Sequence, residues 1–159
     1  MPTVMTMQAL ELKIPPPVVA LLMALGMWGI ARYVPAWEAP DRVRQALAIA
    51  LAAIGAGFDL AGLVAFRRVR TTINPMKPRS ASALVDSGVY RVTRNPMYVG
   101  LVFFLCAWAA YLWSPWTLLG PALFVVYITR FQIAPEERAL STLFGAEYSA
   151  YMARVRRWL

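Results

Sequence analysis

The chain has 159 residues, 60% of them hydrophobic, with 16 Lys+Arg against 8 Asp+Glu, no histidine and one cysteine, Cys106. The missing histidine excludes His-based acid–base catalysis, Ser-His-Asp chemistry and most transition-metal sites, so no metal is expected. A single cysteine excludes an intrachain disulfide, and without a Gly-rich phosphate loop a soluble-type nucleotide fold has no support.

A soluble domain is usually about 45–50% apolar. Here the mean hydropathy is +0.53, and the excess gathers into long runs, the signature of membrane spans. The chain opens with a short segment, 5–14, read as interfacial and stopped by Pro15, Pro16 and Pro17. It lacks a basic leading region, so it is not read as a signal peptide. A first span is predicted over 18–37, interrupted by Arg32 and Pro35, and a second over 46–66, with one acid, Asp59. An acid inside a span is a functional hypothesis by default; the bland alternative is a buried partner for an arginine. Gly55, Gly57 and Gly62 on this span are expected to allow close helix packing.

Residues 67–95 form a polar loop holding Arg67, Arg68, Arg70, Lys77, Arg79, Arg91 and Arg94, with only Asp86 opposing. Its prolines predict ordered irregular structure rather than a helix. The apolar block that follows is too long for one span, and Ser114-Pro115 reads as a turn dividing it into spans 97–113 and 116–133. Residues 135–159 form a C-terminal helical cap, in which Leu140, Leu143, Phe144, Tyr148, Tyr151 and Val155 recur at helical spacing and Gly145 offers a break. The expected architecture is a single all-α integral membrane domain over 1–159. It has about four transmembrane helices, with the loop and the C-terminal amphipathic helices capping a pocket.

The arginine-rich loop and tail predict a cytoplasmic C-terminus, and an even number of spans puts the N-terminus there too. Arg42 and Arg44 in the first loop dissent mildly. Positive charge beside spans is an orientation signal and a phospholipid contact before it is a nucleic-acid footprint, so membrane lipids are expected partners and nucleic acid is not.

The polar border of the third span is dense in functional side chains: Tyr90, Arg91, Arg94, Asn95 and Tyr98 surround the Asn95-Pro96 step. Capping alone would account for Asn95 and Pro96, and snorkelling for the arginines; the density of these groups is what points to a site. Glu136 and Glu137 after Pro135 suit a helix N-terminus, or one of them pairs with a cationic ligand. Arg130 either snorkels or holds an anionic group.

Leu84, Val85, Ser87, Gly88, Val89, Tyr90, Arg91, Arg94, Asn95, Pro96, Met97, Tyr98 and Gly100, followed by Glu136-Glu137 and then by Phe144, Gly145, Glu147, Tyr148 and Tyr151, resemble the isoprenylcysteine carboxyl methyltransferase family. More broadly they resemble the integral membrane methyltransferases that include the phospholipid N-methyltransferases. The likeness runs over 71–159. It implies S-adenosylmethionine as cofactor, held by Ser82, Ala83, Leu84, Val85 and Tyr90 of the loop, by Asn95, Pro96, Met97 and Tyr98, and by Glu136 with Glu137 beside it at the methionine ammonium. It implies Arg130 as the catalytic arginine on the substrate carboxylate. Eukaryotic members have Arg-His-Pro where this chain has Arg94-Asn95-Pro96, and Asn donates a hydrogen bond but is no base.

The expected function is methylation of a lipophilic acceptor, foremost a prenylcysteine-like carboxylate, since a carboxylate needs no general base. The alternatives are a phospholipid amine or a thiol as acceptor, a sterol-reductase-like protein using a nicotinamide cofactor, and a non-enzymatic membrane scaffold. Oligomeric state is open.

Overall fold

The structure, a computed structural model, describes residues 11–34, 37–69 and 76–159. Most of the leading segment 5–14, together with Pro35 and the loop residues 70–75 with Arg70, lies outside the described residues. The described chain is all-helical, with no strand. Helix α1 (Pro16–Tyr33) begins on the proline triplet, since proline at a first helical turn forfeits no hydrogen bond. Helix α2 (Asp41–Val69) has 29 residues, a length of about 44 Å at 1.5 Å per residue. It therefore outruns a bilayer core, and Arg67 and Arg68 stand in its last turn. Helix α3 (Pro96–Leu112) has 17 residues and ends at Trp113, whose φ of 52° is left-handed. A 3₁₀ turn, Pro115–Leu118, leads into α4 (Leu119–Ile128), and a π-turn, Thr129–Ile133, joins α4 to α5 (Ala134–Arg154).

Three of these helices are long and apolar enough to cross a membrane, α1, α2 and the continuous run Pro115–Arg154; α3 is apolar but shorter. Their outward faces are apolar too, with Leu21, Leu22 and Leu25 of α1, Leu60 of α2 and Val126 of α4 exposed. In water such a surface is a liability, and in a bilayer it is the solvated face.

Helix α1 packs on α3 and α4 around Met27, Leu105, Phe124, Ile128 and Ile133. Helix α2 packs along α3 through small residues. A Cβ on Gly55 would lie 2.9 Å from the Gly100 carbonyl oxygen, and one on Gly62 would lie 3.0 Å from Met97 Cγ. Gly57 departs from expectation, since nothing lies within 4 Å of its Cβ position. The step of two residues from Gly55 turns it away from α3, so it has no packing role. Arg44 is also explained by packing. Its Nε and Nη2 donate to the Tyr111 carbonyl at 3.1 and 2.6 Å, satisfying the carbonyl end of α3.

Pro135, expected to begin a separate cap helix, instead lies within a continuous one. It lacks an N–H, so the Phe131 carbonyl four residues earlier loses its helical donor. The backbone N–H of Leu12 supplies the substitute at 3.0 Å. The preceding residue, Glu11, pairs with Arg130 at 2.6 Å and with Arg138. Gly145, at φ 51° and ψ −120°, kinks α5 as expected, in a conformation that only glycine enters freely.

Candidate functional site

The loop reaches the third span through a 3₁₀ turn, Gly88–Arg91, which carries Tyr90 inward. The Tyr90 ring meets Phe66 of α2 edge-on at 5.5 Å, and its carbonyl accepts the Tyr151 hydroxyl at 2.8 Å. Burial, then the neighbouring Tyr151, pushes the Tyr90 phenol above its ordinary value, so it is a hydrogen-bonding wall and not a base.

The C-terminal tail folds back along the entrance to α3. Thr93 and Arg156 form a parallel bridge. The Arg94 N–H donates to the Arg156 carbonyl at 2.9 Å. The Thr93 hydroxyl and Asn95 Nδ2 donate to the Arg157 carbonyl at 3.1 and 2.9 Å. Asn95 does precede α3, but its side chain does not cap the helix as expected; the tail has taken its amide.

The adjacent acids have different surroundings. Glu137 is paired twice, with Arg94 Nη2 at 2.9 Å and with Arg157, whose Nε donates at 3.0 Å. That bond raises the Arg157 guanidinium further above its usual value. Glu136 Oε1 accepts from the Tyr98 hydroxyl at 2.6 Å and from Gln132 Nε2. Both donors are neutral, and among the described residues no lysine or arginine pairs with Glu136. The Nε of Arg94 is buried without a partner.

These groups surround a cavity of about 350 Å³, within the range of small-molecule sites. The structure brings Ala83, Leu84, Val85, Tyr90, Asn95, Met97, Tyr98, Glu136 and Glu137 to its wall. Three expected residues are not in the lining. Pro96 is buried under α2, close to Gly62, and Ser82 flanks the wall. Arg130 sits in the π-turn, over the Phe131 ring at 5.3 Å and paired with Glu11. Arg94, read with the motif at the border of the third span, lines the cavity too, as do Tyr148, Tyr151, Pro16, Phe66 and Leu101, which sequence reasoning left unassigned. The spacing of Tyr148 and Tyr151 on one face of α5 was a usable signal for that pair. Asp59, flagged as an acid inside a span, also lines the cavity, and its Oδ1 is buried without a partner.

The profile of the family described as phospholipid methyltransferase matches residues 43–147. An uncharacterized protein of Haemophilus influenzae is 44% identical over 63 residues, which are 40% of this chain and 100% of that protein. Methanethiol S-methyltransferase 1 of Bradyrhizobium diazoefficiens is 42% identical over 67 residues, 42% of this chain but 22% of that protein. No solved structure matches the chain.

Proposed function

We propose a reaction from one premise: the chain belongs to the phospholipid methyltransferase family, and with its apolar helices it is an integral membrane protein. The proposed activity is transfer of a methyl group from S-adenosylmethionine to a lipophilic acceptor that arrives from the bilayer. The proposed setting is the cytoplasmic membrane, with both termini in the cytosol. The arginines of the loop and tail support that orientation.

The observation that carries this reading is the isolation of Glu136. A carboxylate at a cavity wall with only neutral partners is costly, and a cationic ligand removes the cost. Glu136 would therefore hold the methionine ammonium. Arg94, with Nε unpartnered, would hold the methionine carboxylate. Ala83, Leu84, Val85 and Tyr90 supply an apolar wall for the nucleoside. Glu137 serves the site by fixing Arg94 and the tail rather than by contacting the ligand. S-adenosylmethionine, when bound, supplies an already activated methyl sulfonium. The protein's own tasks are to orient the two reactants and exclude water, and the enclosing tail and tyrosines suit them.

The head group of the acceptor has two readings. A prenylcysteine-like carboxylate was favoured because it needs no base, with Arg130 as its clamp; but Arg130 stands outside the cavity lining, engaged by Glu11. A thiol or a phospholipid amine is the second reading, supported by the acid Asp59 in the wall and by a relative named for a thiol.

Isothermal titration of the purified protein with S-adenosylmethionine, S-adenosylhomocysteine and NADPH tests the proposal. Binding of the first two is expected. Binding of NADPH alone, or of none, would remove it in favour of a reductase or a scaffold.

A further inference from the structure

Asp59 is an acid with no structural task. It lies on α2 ten residues before Val69, about 15 Å along the helix from its end. Its carboxyl packs on the bare Cα of Gly100, where a Cβ would stand 2.1 Å from Oδ1. That oxygen is buried with no hydrogen-bond partner, and among the described residues no lysine or arginine pairs with it. Burying a carboxylate beside lipid without a partner is expensive and is retained where something binds to it.

The other acids in the cavity wall are engaged. Glu137 holds two arginines, and Glu136 holds Tyr98 and Gln132. The Tyr151 hydroxyl is spent on the Tyr90 carbonyl. With no histidine in the chain, Asp59 is the remaining carboxylate for the apolar part of the cavity, beside Phe66, Met97 and Leu101.

We infer that Asp59 meets the head group of the acceptor and takes its proton, so that the acceptor carries an N–H or S–H and not a carboxylate. The inference rests on the methyl-transfer reading above. With a thiol, the S–H proton passes to the Asp59 carboxylate and the freed sulfur pair forms the bond to the methyl carbon. The methyl–sulfonium bond breaks, and its electron pair stays on the donor sulfur, which becomes a neutral thioether. With an ammonium head, the same proton transfer frees the nitrogen pair, and the product leaves as a methylammonium. Asp59 then releases its proton to water. A carboxylate head has no such proton to give and is repelled.

Three probes with one tail and different heads, decylamine, decanethiol and decanoate, separate these cases. With full-length protein saturated by S-adenosylhomocysteine, decylamine is expected to bind about tenfold more tightly than decanoate, and Asp59→Asn to erase that gap. Label transfer from S-adenosylmethionine to decylamine and decanethiol is expected to fall about a hundredfold in Asp59→Asn, with S-adenosylhomocysteine affinity unchanged. Gly100→Ala places a methyl where Oδ1 sits but also 2.9 Å from the Gly55 carbonyl, so it reports on Asp59 only where S-adenosylhomocysteine affinity is unchanged. Wild-type transfer to decanoate matching the other two, or undiminished transfer in a variant that still binds S-adenosylhomocysteine, would overturn the role of Asp59 and leave the methyl-transfer reading standing. Absence of S-adenosylhomocysteine binding to the wild type would overturn both.

Discussion

The hydroxyl of Tyr98 donates to Glu136 Oε1 at 2.6 Å, tying the first turn of α3 to the first turn of α5. Both ends of this bond line the cavity, so one contact closes the fold and shapes the site. It also leaves the Glu136 carboxyl with no cation beside it, while Glu137, one residue on, has two.

Glu136→Gln keeps the shape and the acceptor for Tyr98 while removing the acid that a cationic ligand would meet. Calorimetry is expected to show at least about tenfold weaker S-adenosylmethionine binding. The thermal midpoint should hold or rise, because no cation loses a partner. Unchanged affinity would refute the ammonium-binding role.

Glu137→Gln should act on stability. The side chains of Glu137 and Arg94 are only 13% and 11% exposed, so removing the acid strands a buried cation at a cost of roughly 3 kcal/mol. Arg157 is 39% exposed and, screened by water, adds little. A large fall in the unfolding midpoint in detergent, larger than for Arg157→Gln, is the expected result.

Deleting the tail after Arg154 removes the backbone partners of Arg94, Thr93 and Asn95 together with the Arg157 pair. The protein is expected to retain its helical circular dichroism and lose S-adenosylhomocysteine binding. Full binding by the truncated chain would show that the tail is no wall of the site.

The glycines of α2 should separate cleanly. Gly55→Ala presses a methyl on the Gly100 carbonyl, which is backbone and cannot step aside, so destabilisation by about 1–3 kcal/mol is expected. Gly57→Ala meets nothing and should be neutral or stabilising by up to about 1 kcal/mol through helix propensity. Thermal unfolding of the two variants side by side checks the pair.

Much of the fold was legible because apolar runs of span length have few other uses. The Ser114-Pro115 turn, the start of α3 at Pro96 and the break at Gly145 were each marked by residues whose local chemistry has one common outcome. The continuity through Pro135 was not legible, because the donor that replaces the lost bond comes from Leu12, more than a hundred residues earlier in the chain. The amide of Asn95 failed as a cap for a similar reason. Local sequence favours the cap, and a tail carbonyl 62 residues away won the donor. Most loop and acid residues that line the cavity were picked out through motif order. Arg94 was legible as part of the motif but its partner Glu137 was not, and Arg130 was assigned inward, because sequence alone does not show which acid each arginine meets.

The π-turn sets the phase of everything after it. Its Ala134 N–H reaches back to the Thr129 carbonyl, so one residue more than an α-helix needs is accommodated between span and cap. Deleting one residue from Thr129–Ile133 would restore an ordinary α-turn and leave α5 near its present phase, with Glu136 still facing the cavity. Deleting one from the regular helix on either side would rotate the cap by about 100° and swing Glu136 off the cavity with every side chain of α5 intact. The pocket therefore tolerates a shorter π-turn better than a shorter helix beside it.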